Sequence, residues 1–269
     1  MTRPTALGSH NPGQDKPLYA AQRQQAILTT LAAVGRVDVA ALAEQLAVTS
    51  ETVRKDLIAL ERQGQLHRVH GGAIPLQDLS FEPEVTARVE FAEEKRRIAA
   101  AALAHLPRNG TILIDAGSTT ARLAELIPLD RQLTAFTNTL PTALVLAAKP
   151  NVTVYTLGGR VRNITLAEVD SWAARTLGEI NVDVAFLGAN GISPHRGLTT
   201  PDPAEAAVKG LMLGCARRRI LLSDHSKINQ VSTHKYGELA DLDLLITDTG
   251  IAASDEEALN AAGLTTEKT

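Results

Sequence analysis

Val48-Thr49-Ser50-Glu51-Thr52-Val53-Arg54-Lys55-Asp56-Leu57 is followed closely by Leu66-His67-Arg68-Val69-His70-Gly71-Gly72-Ala73. The first stretch opens a helix. Thr49 or Ser50 supplies an N-cap oxygen, and Val53, Leu57 and Leu60 recur at helical spacing, running to about Gln63 before Gly64. Ser50, Glu51, Thr52, Arg54 and Lys55 fall off that apolar stripe and face outward. In the second stretch, His70-Gly71-Gly72 separates two short extended runs, the pattern of a hairpin. Upstream, Ile27, Leu28, Leu31 and Val34 mark a helix over 20–34 that Gly35 stops, and Asp38 caps a shorter one from Val39 to Leu46. Three helices and a two-stranded wing therefore occupy residues 19–74. A helix-turn-helix lays its second helix in the major groove of DNA. The predicted contacts are Ser50, Glu51, Thr52, Arg54 and Lys55, with His67, Arg68, His70 and Gly71 from the wing.

Bulk charge does not supply the attraction. The 269 residues carry a net charge of −3. Residues 1–75 hold eight Lys or Arg against six Asp or Glu, and the rest hold 19 against 24. Binding must come from placed cations and from several copies of the head, so a homodimer or homotetramer on double-stranded operator DNA is expected. Aromatic residues make up 3% of the chain, so its core is Ala, Leu, Val and Ile. The one cysteine, Cys215, excludes an internal disulfide and reads as a small buried hydrophobe in a cytoplasmic protein. No apolar run reaches membrane-helix length, the first 18 residues lack the apolar core of a signal peptide and read as a disordered tail, and the seven histidines show no metal-ligand spacing. No cofactor is expected.

Residues 75–92, with Pro75 and Pro83, read as a linker. From residue 93 to 251 apolar runs alternate with helical periods: a helix over 93–106, a strand over 111–114, a helix over 119–127, and strands at 133–136, 152–156, 182–187, 219–223 and 243–247. Continuous apolar strands of this kind build a mainly parallel sheet covered on both faces, an α/β domain. Residues 252–269 read as a C-terminal helix and tail. Ligands of such sheets collect at the carboxyl ends of the strands. There the chain places Asp115, Gly117, Ser118, Thr119 and Thr120, then Thr137 and Asn138, Gly158 and Gly159, Asn190, and Asp224 with Lys227. Glycine, hydroxyls and a helix N-terminus suit a phosphate. Arg160 or Arg162 adds a possible anion contact. Glu205 and Lys209 either reach ligand hydroxyls or form an exposed i,i+4 pair. Glu93 to Arg97 reads as a solvated helix start, and Arg217 to Arg219 as surface.

Val48, Thr49, Thr52 to Leu57, then Arg68, His70, Gly71, Gly72 and Ala73 resemble the motif of the DeoR family of bacterial transcription regulators. The resemblance extends to about residue 251. It implies a winged helix-turn-helix joined to a sensor of ribose-5-phosphate-isomerase-like fold that binds a phosphorylated sugar. The isomerase's Asp-Gly-Ala-Asp-Glu-Ile stands here as Leu187-Gly188-Ala189-Asn190-Gly191-Ile192, without its acidic groups. Its lysine has become Arg196, a poor proton donor, while its glutamate is kept as Glu205. A ligand-shaped site without an acid/base set predicts a sensor, not an enzyme, although an isomerase with an appended DNA head is the alternative. The expected function is repression of a carbohydrate operon relieved by a sugar phosphate, with activation as the other sign. Gly188 to Ile192 with Gly197 to Pro201 resembles members that regulate sugar-uptake operons, which makes fructose 1-phosphate the first compound to test.

Overall fold

Leu31, Leu42, Val53, Leu57 and Leu60 converge on one small core because three helices present them inward: α1 (Ala20–Val34), α2 (Val39–Gln45) and α3 (Ser50–Arg62). The computed structural model describes residues 19–34, 36–63, 65–69, 71–75, 82 and 88–269. The chain divides into two units, residues 1–78 and 79–269. The tail expected over 1–18 lies outside the described residues, as do Gly35 and Gly64.

Asp38 caps α2 by accepting the amides of Ala40 and Ala41, and Thr49, rather than Ser50, caps α3 through the Thr52 amide. The wing has three strands where the sequence indicates two. β1 (Val37–Asp38) pairs with β3 (Gly72–Pro75), which pairs in turn with β2 (Leu66–Val69). This explains the glycine pair. Gly71 turns the chain with φ of 73°, in the left-handed region. A Cβ on Gly72 would stand 1.8 Å from the Val37 carbonyl oxygen. The close backbone approach at Gly72 is therefore an approach to β1.

In the second unit, α4 (Ala92–Ala102) leads into β4 (Asn109–Ile114), α5 (Ser118–Leu126), β5 (Gln132–Thr137), α6 (Leu140–Ala147) and β6 (Val152–Thr156). A small hairpin, β7 (Arg160–Val161) and β8 (Glu168–Val169), precedes α7 (Asp170–Glu179) and β9 (Val182–Leu187). Then follow β10 (Gly191–Ser193), β11 (Gly197–Thr200), α8 (Pro203–Gly214), β12 (Ala216–Leu222), β13 (His234–Gly237), β14 (Leu244–Thr247), α9 (Ala253–Ala261) and β15 (Thr266–Lys268). The main sheet has the order β15-β14-β12-β9-β4-β5-β6, and every pairing in it is parallel. Side chains alternate across it. Ile112, Ile114, Phe186, Ile220 and Ile246 meet α4, α5 and α6; Leu113, Leu187, Leu221 and Leu245 meet α7, α8 and α9.

The second unit departs from the sequence reading at the β7–β8 hairpin and in three further places. The helix expected over 93–106 ends at Ala102 and tightens into one 3-10 turn, Leu103–His105. The segment read as a C-terminal tail supplies the edge strand β15, bonded to β14. A separate antiparallel sheet, β10-β11-β13, lies in a region with no strand expected.

Candidate nucleic-acid interface and effector site

On α3, Val53 and Leu57 are buried, so Glu51, Arg54 and Lys55 face solvent. Arg54 and Glu51 stand 3.8 Å apart on the exposed surface, a pairing too weak to hold the arginine against a phosphate. Thr52 shares a 2.9 Å hydrogen bond with Thr49 at the start of the helix. Asp56 is buried and accepts two hydrogen bonds from Arg23, fastening α1 to α3. Arg68 in the wing is not loose. Its backbone N–H and its Nε donate to the two oxygens of Glu61, at 2.9 and 2.6 Å, so α3 sets where the wing carries its cation. The side chain of His67 and the whole of His70 lie outside the described residues.

Because all seven main strands are parallel, their carboxyl ends share one edge. Chain order reverses between β4 and β9, the switch point at which a crevice opens. Asp115, just past β4, is fully buried there and accepts the Gly188 amide from the end of β9 at 3.0 Å. Lys209 of α8 donates to the same Asp115 oxygen and to the Gly188 carbonyl. Tyr236 also donates to that carbonyl, at 2.9 Å. Burial pushes the Asp115 carboxyl up, against the pull of Lys209. The other Asp115 oxygen, Oδ1, is buried without a hydrogen-bond partner among the described residues.

At α5 neither Ser118 nor Thr119 caps the helix. Gly117 occupies the cap position and no side chain accepts the first amides, which leaves the N–H groups of the first turn open to a ligand. Thr120 and Thr137 spend their hydroxyls inside the protein, donating to the carbonyls of Gly117 and Ile114. Asn138 accepts the Ala116 amide and so ties the end of β5 to that of β4. Gly158 gives its amide to Glu168. A Cβ on Gly159 would meet the Val169 carbonyl at 2.3 Å, so this glycine serves the β7–β8 hairpin. Asp224 is buried and accepts from Ser226, leaving half-buried Lys227 beside it.

The lysine that the sequence places on a solvated helix start is buried. Lys95 donates to the carbonyls of Arg88 and Glu90, at 3.2 and 2.7 Å. Burial pushes its ammonium below the ordinary value. Asp224 pulls it back up, and Lys227, Arg122 and Arg88 push it further down. Four cations thus share one neighbourhood. The signal was present in the spacing, since Lys95 falls on the inward stripe of Ile98, Ala99 and Ala102. Arg122, unremarked in the sequence, has its Nε buried without a partner among the described residues.

A second polar cluster surrounds Arg162. Its guanidinium donates to Glu82 at 3.0 Å, to Glu205, and to Thr165 at 3.3 Å, and it pairs with Asp202 at 3.2 Å. Burial opposes its charge, but Glu205 and Glu82 override that and hold its pKa above the usual arginine value. Arg160, by contrast, is an exposed partner of Asp170. Glu205 and Lys209 are neither exposed nor paired with each other; both are buried, on Arg162 and Asp115 respectively. Asn190 accepts from Thr200 and donates to Glu82 at 3.5 Å. Glu205 already accepts from Arg162 and Thr165, an arrangement for holding and not for moving a proton. Cys215 is buried and its thiol is pushed up to about 11 by burial, so it is inert.

Residues 23–78 match the family model of the DeoR-like helix-turn-helix domain, and residues 90–249 match that of the DeoR C terminal sensor domain. The chain belongs to the DeoR family of transcription regulators. It is 33% identical over 249 residues to the HTH-type transcriptional regulator GlpR of Haloferax volcanii, covering 92% of this chain and 97% of that one. It is 31% identical to a putative aga operon transcriptional repressor of Escherichia coli O157:H7, over 94% and 95% of the two chains. Among solved structures, ribose 5 phosphate isomerase A from Neisseria gonorrhoeae is 20% identical with a TM-score of 0.38, covering 52% of this chain and 54% of that one. The relatives of this DeoR-type chain are named as regulators and not as enzymes. Among the described residues, no helix is long and apolar enough to cross a membrane, and no group of three or more His, Cys, Asp or Glu is placed to hold a metal ion.

Proposed function

We propose that the chain is a cytoplasmic repressor of a carbohydrate operon, released from its operator by a phosphorylated sugar. The observation that carries the sugar-phosphate reading is the pairing of two unlike poles at the strand ends. Lys95, Arg122 and Lys227 form a cationic pole, complemented by the uncapped N-terminus of α5. Arg162, Glu205 and Asn190 form a polar pole crowded with carboxylates. A phosphate dianion belongs at the first, and sugar hydroxyls, which donate as well as accept, at the second. Sensing requires that the ligand bind the free form better than the DNA-bound form. The repressor sign is supported by relatives named as repressors, including the aga operon protein and GlcR of Bacillus subtilis.

The test has two parts. Gel shifts on DNA upstream of the chain's own gene should show a complex of dimeric or tetrameric protein that dissolves when the effector is added. A thermal-shift screen beginning with fructose 1-phosphate should reveal a compound that, at a hundred times its dissociation constant, stabilises the protein by about 2.7 kcal/mol. If no operator fragment shifts at moderate salt and no sugar phosphate stabilises, the proposal fails.

A further inference from the structure

Glu82 stands in the stretch between the DNA head and the sensor, and in sequence nothing distinguishes it from its neighbour Glu84. In the structure its side chain is buried, 2% exposed. One carboxylate oxygen accepts from Arg88 at 2.9 Å and from Asn190 at 3.5 Å; the other accepts from Arg162 at 3.0 Å. Its partners Arg162 and Asn190 belong to the polar pole assigned above to sugar hydroxyls.

Glu82, Asp202 and Glu205 surround Arg162, and Arg88 is the one further cation paired with Glu82 by these contacts. Glu82, Asp202 and Glu205 therefore share one guanidinium, and like charges stand close together around it. Each arginine contact favours Glu82, while Asp202 and Glu205 repel it. The anchor is therefore weaker than its three hydrogen bonds suggest. A neutral hydroxyl that replaced the carboxylate would keep a hydrogen bond to Arg162 and relieve the repulsion.

We infer that Glu82 is a built-in occupant of the effector site: its carboxylate holds the interdomain segment against Arg162 and Asn190, and a bound sugar phosphate displaces it. The displacement rests on the effector reading above; the anchor does not. It gives the ligand a direct mechanical hold on the segment that leads to the DNA head, with the phosphate retained at Lys95, Arg122 and Lys227 and the hydroxyls competing for the place of Glu82.

Trypsin reads this on the full chain. Arg88 is the one Lys or Arg between residues 69 and 94, so the fragment beginning at Val89 reports release of the segment. Cleavage at Arg88 should be slow in the wild type and roughly tenfold faster in Glu82→Gln, the loss of one charge-assisted contact. Arg162→Lys, which breaks the fork from the other side, should act in the same direction, with thermal melts confirming that both variants fold. In the wild type, fructose 1-phosphate at a concentration that raises the melting temperature should accelerate the cut, and inorganic phosphate should not. Unchanged cleavage in both folded variants overturns the anchor. A sugar phosphate that stabilises the wild type without speeding cleavage overturns the displacement. If no sugar phosphate binds, the effector reading fails, while the two variants still decide whether Glu82 is an anchor.

Discussion

Arg54 and Lys55 follow Val53, whose side chain is fully buried, so the two cations leave α3 in different directions across its exposed face. The proposed division of labour, one cation to a base edge and the other to a phosphate, separates experimentally. Arg54→Ala should weaken specific operator binding by ~1–3 kcal/mol and relax discrimination between operator sequences. Lys55→Ala should weaken all sequences alike and flatten the dependence of log affinity on log salt by about one unit per head. Gel shifts across a salt series check both, and a salt slope unchanged in Lys55→Ala would remove that residue from the phosphate contacts. At this scale the sequence was informative where a residue's neighbours along the chain decide its surroundings, as for Thr49, Asp38 and Cys215. It was silent where distant elements decide. The inward spacing of Lys95 was readable, but nothing local reveals that Arg122 and Lys227 share its neighbourhood, or that Glu82 is met by Arg162, 80 positions away.

Among the elements, the inner strands of the main sheet were legible through apolar runs such as Ile112-Leu113-Ile114 and Leu244-Leu245-Ile246. β1, the β7–β8 hairpin and β15 were not, since two or three residues such as Thr266-Glu267-Lys268 carry no periodicity and exist as strands through their partners. β1 is the case with consequences. Its carbonyl at Val37 fills the space a side chain at residue 72 would need. Gly72→Ala should therefore detach β1 from β3 and remove operator binding, while the melting of the sensor unit and its response to sugar phosphates stay as in the wild type. A variant that keeps wild-type operator affinity would show that the wing does not depend on β1. Within the sensor, Asp183 at the start of β9 accepts the backbone N–H and then the hydroxyl of Thr111 in β4, and these hold its carboxyl below the ordinary value. A depressed carboxyl adds stability above the unfolded pKa, near 3.9, and that contribution is lost as pH falls through the folded value. Chemical denaturation of wild type and Asp183→Asn should differ at neutral pH and converge as pH falls through the depressed folded value. Parallel curves over that range would contradict the assignment.

On the scale of the whole molecule, a net charge of +2 on residues 1–75 gives one head little hold on DNA, so operator affinity should depend on protein concentration through assembly. The two units have separate cores, and calorimetry should resolve two transitions, with the sugar phosphate raising the one that belongs to residues 79–269. The pairing of β4 with β9 carries a further consequence, for kinetics. These strands lie about 70 residues apart, and no parallel pair in the sheet forms without a crossover. The head closes its core between residues 27 and 73 through contacts of short sequence separation. Loop-closure entropy then makes the head the fast folder and the sensor the slow one. During synthesis or after dilution from denaturant there is an interval in which a folded head exists without a sensor able to bind its ligand, and hydrogen-exchange protection of the head amides should run ahead of refolding followed by ligand binding.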